Sequence, residues 1–448
     1  MTGEQRERVV IVGAAGRDFH NFNMVFRHDP AVDVVAFTAA QIPGVAGRRY
    51  PPLLAGQLYP GGIAIRDEAE LEEICRRDKV DRVVFAYSDV SHEQVMHLAS
   101  RALAAGADFA LLGPRQTMLH SKRPVIAISA VRTGCGKSQI ARWLSRRLRE
   151  RGIRAAALRH PMPYGDLAAE RVQRFASLAD LDAAHCTAEE REEYEPHVEA
   201  GNVVFAGVDY AAILAQAERE CDVIVWDGGN NDFPFIKPTL HIVVADALRP
   251  AHVATHHPGE TVVRMADVVV INKVDAASAA AIQEVTDRIR AVNPTAPILR
   301  AASPVRLDRP DAARGRKVLV VDDGPTLTHG GMAYGAGYVA ATNGGAAEIV
   351  DPRIAAAPAI RAVFDAYPHL GKVLPAMGYS PAQLAALAET INRSDAELVV
   401  SGTPLDLARL VPLAKPVVRA RYDFAEAGTP TLASFVDQAL ARAGVGRL

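Results

Sequence analysis

A chain of 448 residues has room for two or three domains. Its 49% apolar content supports packed cores, its 23% charged fraction is ordinary, and a net charge of -2 argues against a general nucleic-acid binder. No apolar run is long enough to cross a bilayer, and the charged start Met1–Arg8 lacks a signal-peptide apolar segment. Cys75, Cys135, Cys186 and Cys221 are scattered without metal-ligand spacing, so a reduced, cytoplasmic setting is expected.

The first section, 1–122, alternates strand and helix and reads as a Rossmann-like parallel sheet. Strands are expected at Arg8–Val12, Val32–Thr38, Arg82–Tyr87 and Asp108–Leu112, and helices at Asp67–Asp78 and Ser91–Ala105, the latter with Ser91 as N-cap. The turn Gly13-x-x-Gly16-Arg17 suits either an anion, with Arg17 as counter-charge, or a tight turn that packs sheet on helix. His20, Asn21 and Asn23 follow at the carboxyl end of the first strand, well placed for a ligand. A dinucleotide site is disfavoured, because the second strand ends Phe37-Thr38-Ala39-Ala40 and lacks the acidic residue that binds ribose.

The second section, 123–314, opens on Ile126-Ala-Ile-Ser-Ala-Val-Arg-Thr-Gly-Cys-Gly-Lys-Ser138. An Ile/Val-rich strand, a glycine turn, Gly136-Lys137-Ser138 and a helix with Ile140, Leu144 and Leu148 on one face make a phosphate-binding loop. Backbone N–H groups of Gly134, Cys135, Gly136 and Gln139 would wrap the phosphates. Lys137 would reach the β- and γ-phosphates, and Ser138 would hold magnesium. Val131 stands where the common pattern has its first glycine. The loop instead resembles those of dethiobiotin synthetases and deviant-loop ATPases. The latter carry a second basic residue five before the lysine; Arg132 stands there, which implies a γ-phosphate contact.

Three more strand ends in this section carry chemistry. Val223–Trp226 ends in Asp227-Gly-Gly-Asn-Asn-Asp232, whose first carboxylate suits the second anchor of a magnesium–phosphate site. Val268–Ile271 ends in Asn272-Lys273-Val274-Asp275, a base-binding loop that leaves ATP and GTP both open. Ala155–Leu158 runs into Arg159-His160-Pro-Met-Pro-Tyr-Gly-Asp166, two cationic side chains that suit an acidic substrate. Arg249 and His252 read either as anion contacts or as structural residues, and the histidines at 252, 256 and 257 lack tight metal spacing. Glu189–Glu195 reads most simply as a solvated acidic helix face, and otherwise as carboxylates that help hold a cation. The last section, 315–448, is α/β, either a small sheet of its own or an extension of the central one. It contains the glycine-rich Asp323-Gly-Pro-Thr-Leu-Thr-His-Gly330, where His329 suits phosphate or carboxylate recognition.

Taken in order, 159–166, 226–232, 272–275 and 323–330 resemble the cyclic 2,3-diphosphoglycerate synthetase family over nearly the whole chain. The resemblance implies a Rossmann-like domain beside a doubly wound phosphate-loop domain. It also implies an ATP- and magnesium-dependent ligase that closes 2,3-diphosphoglycerate into a cyclic phosphoanhydride. By position it implies Lys137, Ser138 and Asp227 for the nucleotide and metal, and Arg159, His160 and His329 for the acidic substrate. The stretch 246–253 departs from the family pattern, which is richer in His, Gly and Glu. The expected activity is therefore phosphoryl activation of a small polyanionic metabolite, with no nucleic-acid or membrane partner and a homodimer compatible. A regulatory GTPase or metallochaperone is the alternative, and a nucleotide sensor with a vestigial site is a third reading.

Overall fold

The computed structural model describes residues 6–14, 16–40, 46–159, 165–229, 232–328, 330–377, 380–404 and 406–446. In the N-terminal section the strands are β1 (Glu7–Val12), β2 (Val32–Ala39), β3 (Arg49–Tyr50), β4 (Ile63–Asp67), β5 (Arg82–Phe85), β6 (Val90–Ser91) and β7 (Asp108–Leu111). All but β6 form a six-stranded sheet in the order β3-β4-β2-β1-β5-β7. It is parallel except for the short edge strand β3, which pairs antiparallel with β4. Helices cover both faces, so Val9 to Val12 are wholly buried and read as an unbroken apolar run. Helix His92–Ala104 starts on a reciprocal capping box between Ser91 and Gln94.

The central section adds β8 (Val125–Ala130), β9 (Ala155–Arg159), β10 (Gln173–Phe175), β11 (Val203–Ala206), β12 (Val223–Asp227), β13 (Leu240–Asp246), β14 (His256–His257), β15 (Val268–Asn272) and β16 (Ile298–Ala302). The strand order is β10-β11-β9-β12-β8-β13-β15-β16, doubly wound with the phosphate-loop strand β8 near its middle. β14 leaves this sheet to pair antiparallel with β6, which joins the central section to the N-terminal one. Helix Ala188–Glu199 corrects the expectation of a solvated acidic face. Thr187 and Glu190 form a capping box, Tyr194 and Val198 pack on Phe175 and Leu181, and Glu190 and Glu195 are buried.

The C-terminal section builds a separate sheet from β17 (Val305–Leu307), β18 (Lys317–Asp323), β19 (Glu348–Ile349), β20 (Leu374–Ala376), β21 (Leu398–Ser401) and β22 (Val417–Tyr422), in the order β17-β22-β21-β18-β19 with β20 also on β18. The chain then returns to the centre. β23 (Ala425–Glu426) pairs antiparallel with β16, and Leu432, Val436 and Leu440 of helix Leu432–Arg442 join the central core. The described residues therefore form a mixed α/β molecule with three large sheets and the two-stranded β6–β14 pair, and the carboxyl ends of strands from the large sheets converge on one cleft.

Candidate functional site

The cleft is a cavity of about 640 Å³, walled by all three sections. Its floor is the phosphate loop. Gly134 and Gly136 hold φ of +79° and +107°, conformations that favour glycine, and the helix Lys137–Glu150 begins directly after them. A Cβ on Gly134 would come 3.0 Å from Thr326 Cγ2 of the C-terminal section; one on Gly136 would overlap Asn272 Nδ2. Gly134, Gly136, Lys137, Ser138 and Gln139 line the cavity. Cys135 does not; its thiol is buried in the core behind the loop, and burial pushes it up. Desolvation pushes the Lys137 ammonium down, against the pull of Asp227.

Asp227 ends β12 completely buried. Arg159 Nη1 lies 2.5 Å from its Oδ2, and His197 Nε2 lies 2.9 Å from the same oxygen. Burial alone would raise this carboxyl. Arg159, His197 and Lys137 overcome that and hold it well below the usual carboxylate range. Its Oδ1 is buried without a hydrogen-bond partner among the described residues. That oxygen and the Ser138 hydroxyl are hard donors that fit magnesium. Arg159 also pairs with Glu193, so its charge is shared between two carboxylates. His197, which the sequence did not single out, is neutral-leaning: burial lowers it more than Asp227 raises it.

The loop after β15 locks onto the phosphate loop. Asn272 Nδ2 donates to the Cys135 carbonyl at 2.9 Å, and Lys273 Nζ donates to the Gly134 carbonyl at 2.7 Å and to Asp246 Oδ2 at 2.8 Å. Asp275 accepts from the Ser303 amide at 3.0 Å; both residues, with Lys273, line the cavity. Arg249 stands behind the wall as a strap. It donates to Asp246, to the Thr133 carbonyl at 2.7 Å and to the Gly330 carbonyl at 2.7 Å, which ties the phosphate loop to the C-terminal section.

Several cations expected at phosphate or substrate are placed otherwise. Arg132 Nε meets Asp89 Oδ1 at 2.6 Å, and its Nη1 lies 3.1 Å from His252 Nδ1 and 2.8 Å from His256 Nε2. It stitches the central sheet to the N-terminal section, and His252 serves that joint. No cluster of three or more His, Cys, Asp or Glu able to hold a metal occurs among the described residues. Among the described residues of the turn after β1, Asp18 Oδ1 already accepts from the Gly16 and Phe19 amides at 3.0 and 2.7 Å. Arg17 turns instead to Asp232 Oδ1 at 2.8 Å. His20 is buried, stacked 4.0 Å from Phe235, and Asn23 accepts from the Tyr50 hydroxyl, so neither waits for a ligand. His160 and His329 lie outside the described residues.

The structure brings to the cavity acidic and hydroxyl groups from two stretches that the sequence marked only loosely, and Tyr422, which it did not mark. Glu192 and Glu193 face the cavity from helix Ala188–Glu199, and Asp323, Thr326 and Tyr422 face it from the C-terminal sheet. Asp323 caps its own turn through the Thr326 amide, and burial raises its carboxyl against those hydrogen bonds. A site with a phosphate loop at one wall and, at the others, carboxylates of Glu192, Glu193 and Asp323 interleaved with the guanidinium groups of Arg17, Arg142 and Arg159 can bind a nucleotide and hold a small molecule that carries both charges.

Residues 197–302 match the family model described as cyclic 2,3-diphosphoglycerate synthetase, P-loop domain. The arginine synthetase ArcE of Thermococcus kodakarensis is 58% identical over 438 residues, 98% of each chain. Among solved structures, LpxK from Aquifex aeolicus, crystallised with ATP, is 13% identical. That alignment covers 73% of this chain and 90% of LpxK, with a TM-score of 0.42. The hydrogenase maturation factor HypB from Archaeoglobus fulgidus is 16% identical over 40% of this chain and 79% of its own, with a TM-score of 0.23. The chain belongs to the cyclic 2,3-diphosphoglycerate synthetase family of phosphate-loop nucleotide-binding synthetases, alongside ArcE of Thermococcus kodakarensis.

Proposed function

We propose that this protein is a nucleoside-triphosphate-dependent synthetase that forms arginine, or a close guanidino relative, by phosphoryl activation of a small amino acid. The observation that carries the reading is the pairing, in one cavity, of a phosphate loop with the carboxylates of Glu192 and Asp323, beside the Arg159–Glu193 pair. Such carboxylates suit the cationic end of an amino acid better than a second polyphosphate. The near full-length similarity to a protein named arginine synthetase supports the same reading.

A guanidinium differs from a ureido group by nitrogen in place of oxygen, so a synthetase must make that oxygen a leaving group. The ureido oxygen attacks the γ-phosphorus and ADP departs. A nitrogen nucleophile then adds to the activated carbon, phosphate leaves and one proton is lost. Lys137 and the phosphate-loop amides stabilise the charge that develops on the transferring group. Magnesium, for which Ser138 and Asp227 are the fitting ligands, would neutralise phosphate charge. The cavity walls contributed by the three sections orient the substrate beside the phosphate loop.

The family's namesake reaction, cyclisation of 2,3-diphosphoglycerate, is the second reading, favoured by the match at residues 197–302. Against it, Arg159 and Arg249 each already face a carboxylate, which leaves less positive charge for a polyanion. ADP or GDP release with magnesium separates them. Stimulation by citrulline with ammonium supports the proposal. Stimulation by 2,3-diphosphoglycerate alone would establish the namesake activity. GTP turnover indifferent to both would favour a regulatory GTPase.

A further inference from the structure

The cavity does not stop at the phosphate loop. It continues to the carboxyl ends of β1 and β5, where Arg17, Ser88 and Asp89 line it. β1 and β5 are the strands between which the order of the N-terminal sheet reverses. Open parallel sheets take their ligands at that crevice.

At this crevice Arg17 is held on three sides. Its guanidinium carbon lies 3.7 Å from the Phe233 ring centroid and 4.8 Å from that of Phe235. Nε donates to Asp232 Oδ1, itself bonded to the Ser88 hydroxyl, and Nη2 donates to the Phe233 carbonyl. Arg17 is only 4% exposed. Its remaining nitrogen, Nη1, has no acceptor among the described residues. A guanidinium fixed this firmly on a residue that lines the cavity, with one buried nitrogen still unpaired among the described residues, is pre-organised for a planar oxyanion. Asp232 and Phe233 follow Asp227 on the same loop after β12, so the pose of Arg17 is tied to the strand that serves the nucleotide.

We propose that the switch point of the N-terminal sheet is the carboxylate subsite of the acceptor substrate, with Arg17 Nη1 as the donor that receives that carboxylate. This rests on the reading of the cavity as an amino-acid synthetase site. It gives the N-terminal section a role in substrate binding, because that section then grips the far end of a molecule whose reacting end lies at Lys137.

The test compares L-arginine with agmatine, which keeps the guanidinium chain and lacks the carboxylate, by calorimetric binding to the full protein and to Arg17→Lys. The wild type should favour L-arginine by about tenfold or more, as befits one charge-assisted pair. Arg17→Lys should lose that preference while its nucleotide affinity and melting temperature stay near wild type. A preference that survives in the variant overturns the subsite and leaves the proposed function standing. Failure of the wild type to bind either ligand overturns both. Should Arg17→Lys not fold, a crystal of the wild type with L-arginine decides. A carboxylate within hydrogen-bond distance of Arg17 Nη1 supports the subsite, and a carboxylate seated elsewhere ends it.

Discussion

Asn272 and Cys135 are 137 positions apart, and the side-chain amide of one donates to the backbone carbonyl of the other at 2.9 Å, fully buried. The loop that would hold the base therefore also sets the curvature of the loop that would hold the phosphates. Asn272→Ala leaves the carbonyl unpaired, at a cost of ~1–3 kcal/mol for a buried group. If that cost falls on the closing of the loop round a nucleotide, affinity drops by roughly ten- to a hundredfold. Calorimetric titration of the nucleotide checks this; unchanged affinity would mean that the loop keeps its shape without the tether.

Lys137 stands half-buried at the cavity floor. Its charge is of use only where phosphate charge moves. Lys137→Ala should cut turnover by about a hundredfold to a thousandfold, the scale for losing one preorganised electrostatic partner of a transition state. The fold should persist, because Arg159 still neutralises Asp227 and His197 still hydrogen-bonds to it. Paired measurements of ADP release and thermal melting test both halves. Normal turnover would move the phosphate site elsewhere.

Much of the fold is legible in order along the chain. Buried parallel strands declare themselves as Ile/Val runs, so β8, β12 and β15 and the residues that end them can be read directly. Ser91 caps the helix expected of it. What periodicity does not carry is the choice of partner for a buried charge. Arg132, Arg17 and Arg249 look alike as loop cations. Only the tertiary approach of Asp89, Asp232 and Asp246 gives one to a section joint, one to the cavity wall and one to a strap. Glu192 and Glu193 sit in an acidic run that reads as solvated, and become a cavity wall because the helix turns its Tyr194 face inward. The return of the C-terminal chain through β23 is a two-residue pairing, too short to show any pattern.

Arg249 donates to carbonyls of both the phosphate loop and the C-terminal section, and to Asp246. Arg249→Ala removes all three at once. Lys273 still pairs with Asp246, so that charge is not stranded, and the loss should be ~2–4 kcal/mol, at or below the range for breaking a buried pair. The KM for nucleotide should rise as the C-terminal section loosens from the loop. Urea unfolding and a nucleotide saturation curve measure the two effects. A variant with lower stability and unchanged KM would reduce Arg249 to a structural residue.

The joint between the N-terminal and central sections predicts an acid-sensitive stability. Arg132 points its guanidinium at His252 Nδ1 and His256 Nε2, so both nitrogens act as acceptors and both rings are neutral. Burial and then Arg132 push each imidazole down to about 4; burial and then Arg17 do the same to His257. Asp89 and Asp246 pull His252 upward and Asp89 pulls His256 upward without reversing the outcome, while Arg249 adds to the push on His252 and His252 and His92 add to the push on His256. Since folded values lie below the ordinary 6.5, the unfolded chain takes up protons first as pH falls. Stability from these rings is complete above 6.5 and is lost progressively down to about 4, where the folded protein protonates too. The urea midpoint should fall across that window. A His252→Gln, His256→Gln double variant, which keeps a side-chain acceptor for Arg132 but cannot titrate, should show a shallower slope. Parallel slopes in the two proteins would assign the acid sensitivity to other groups and leave the joint indifferent to pH.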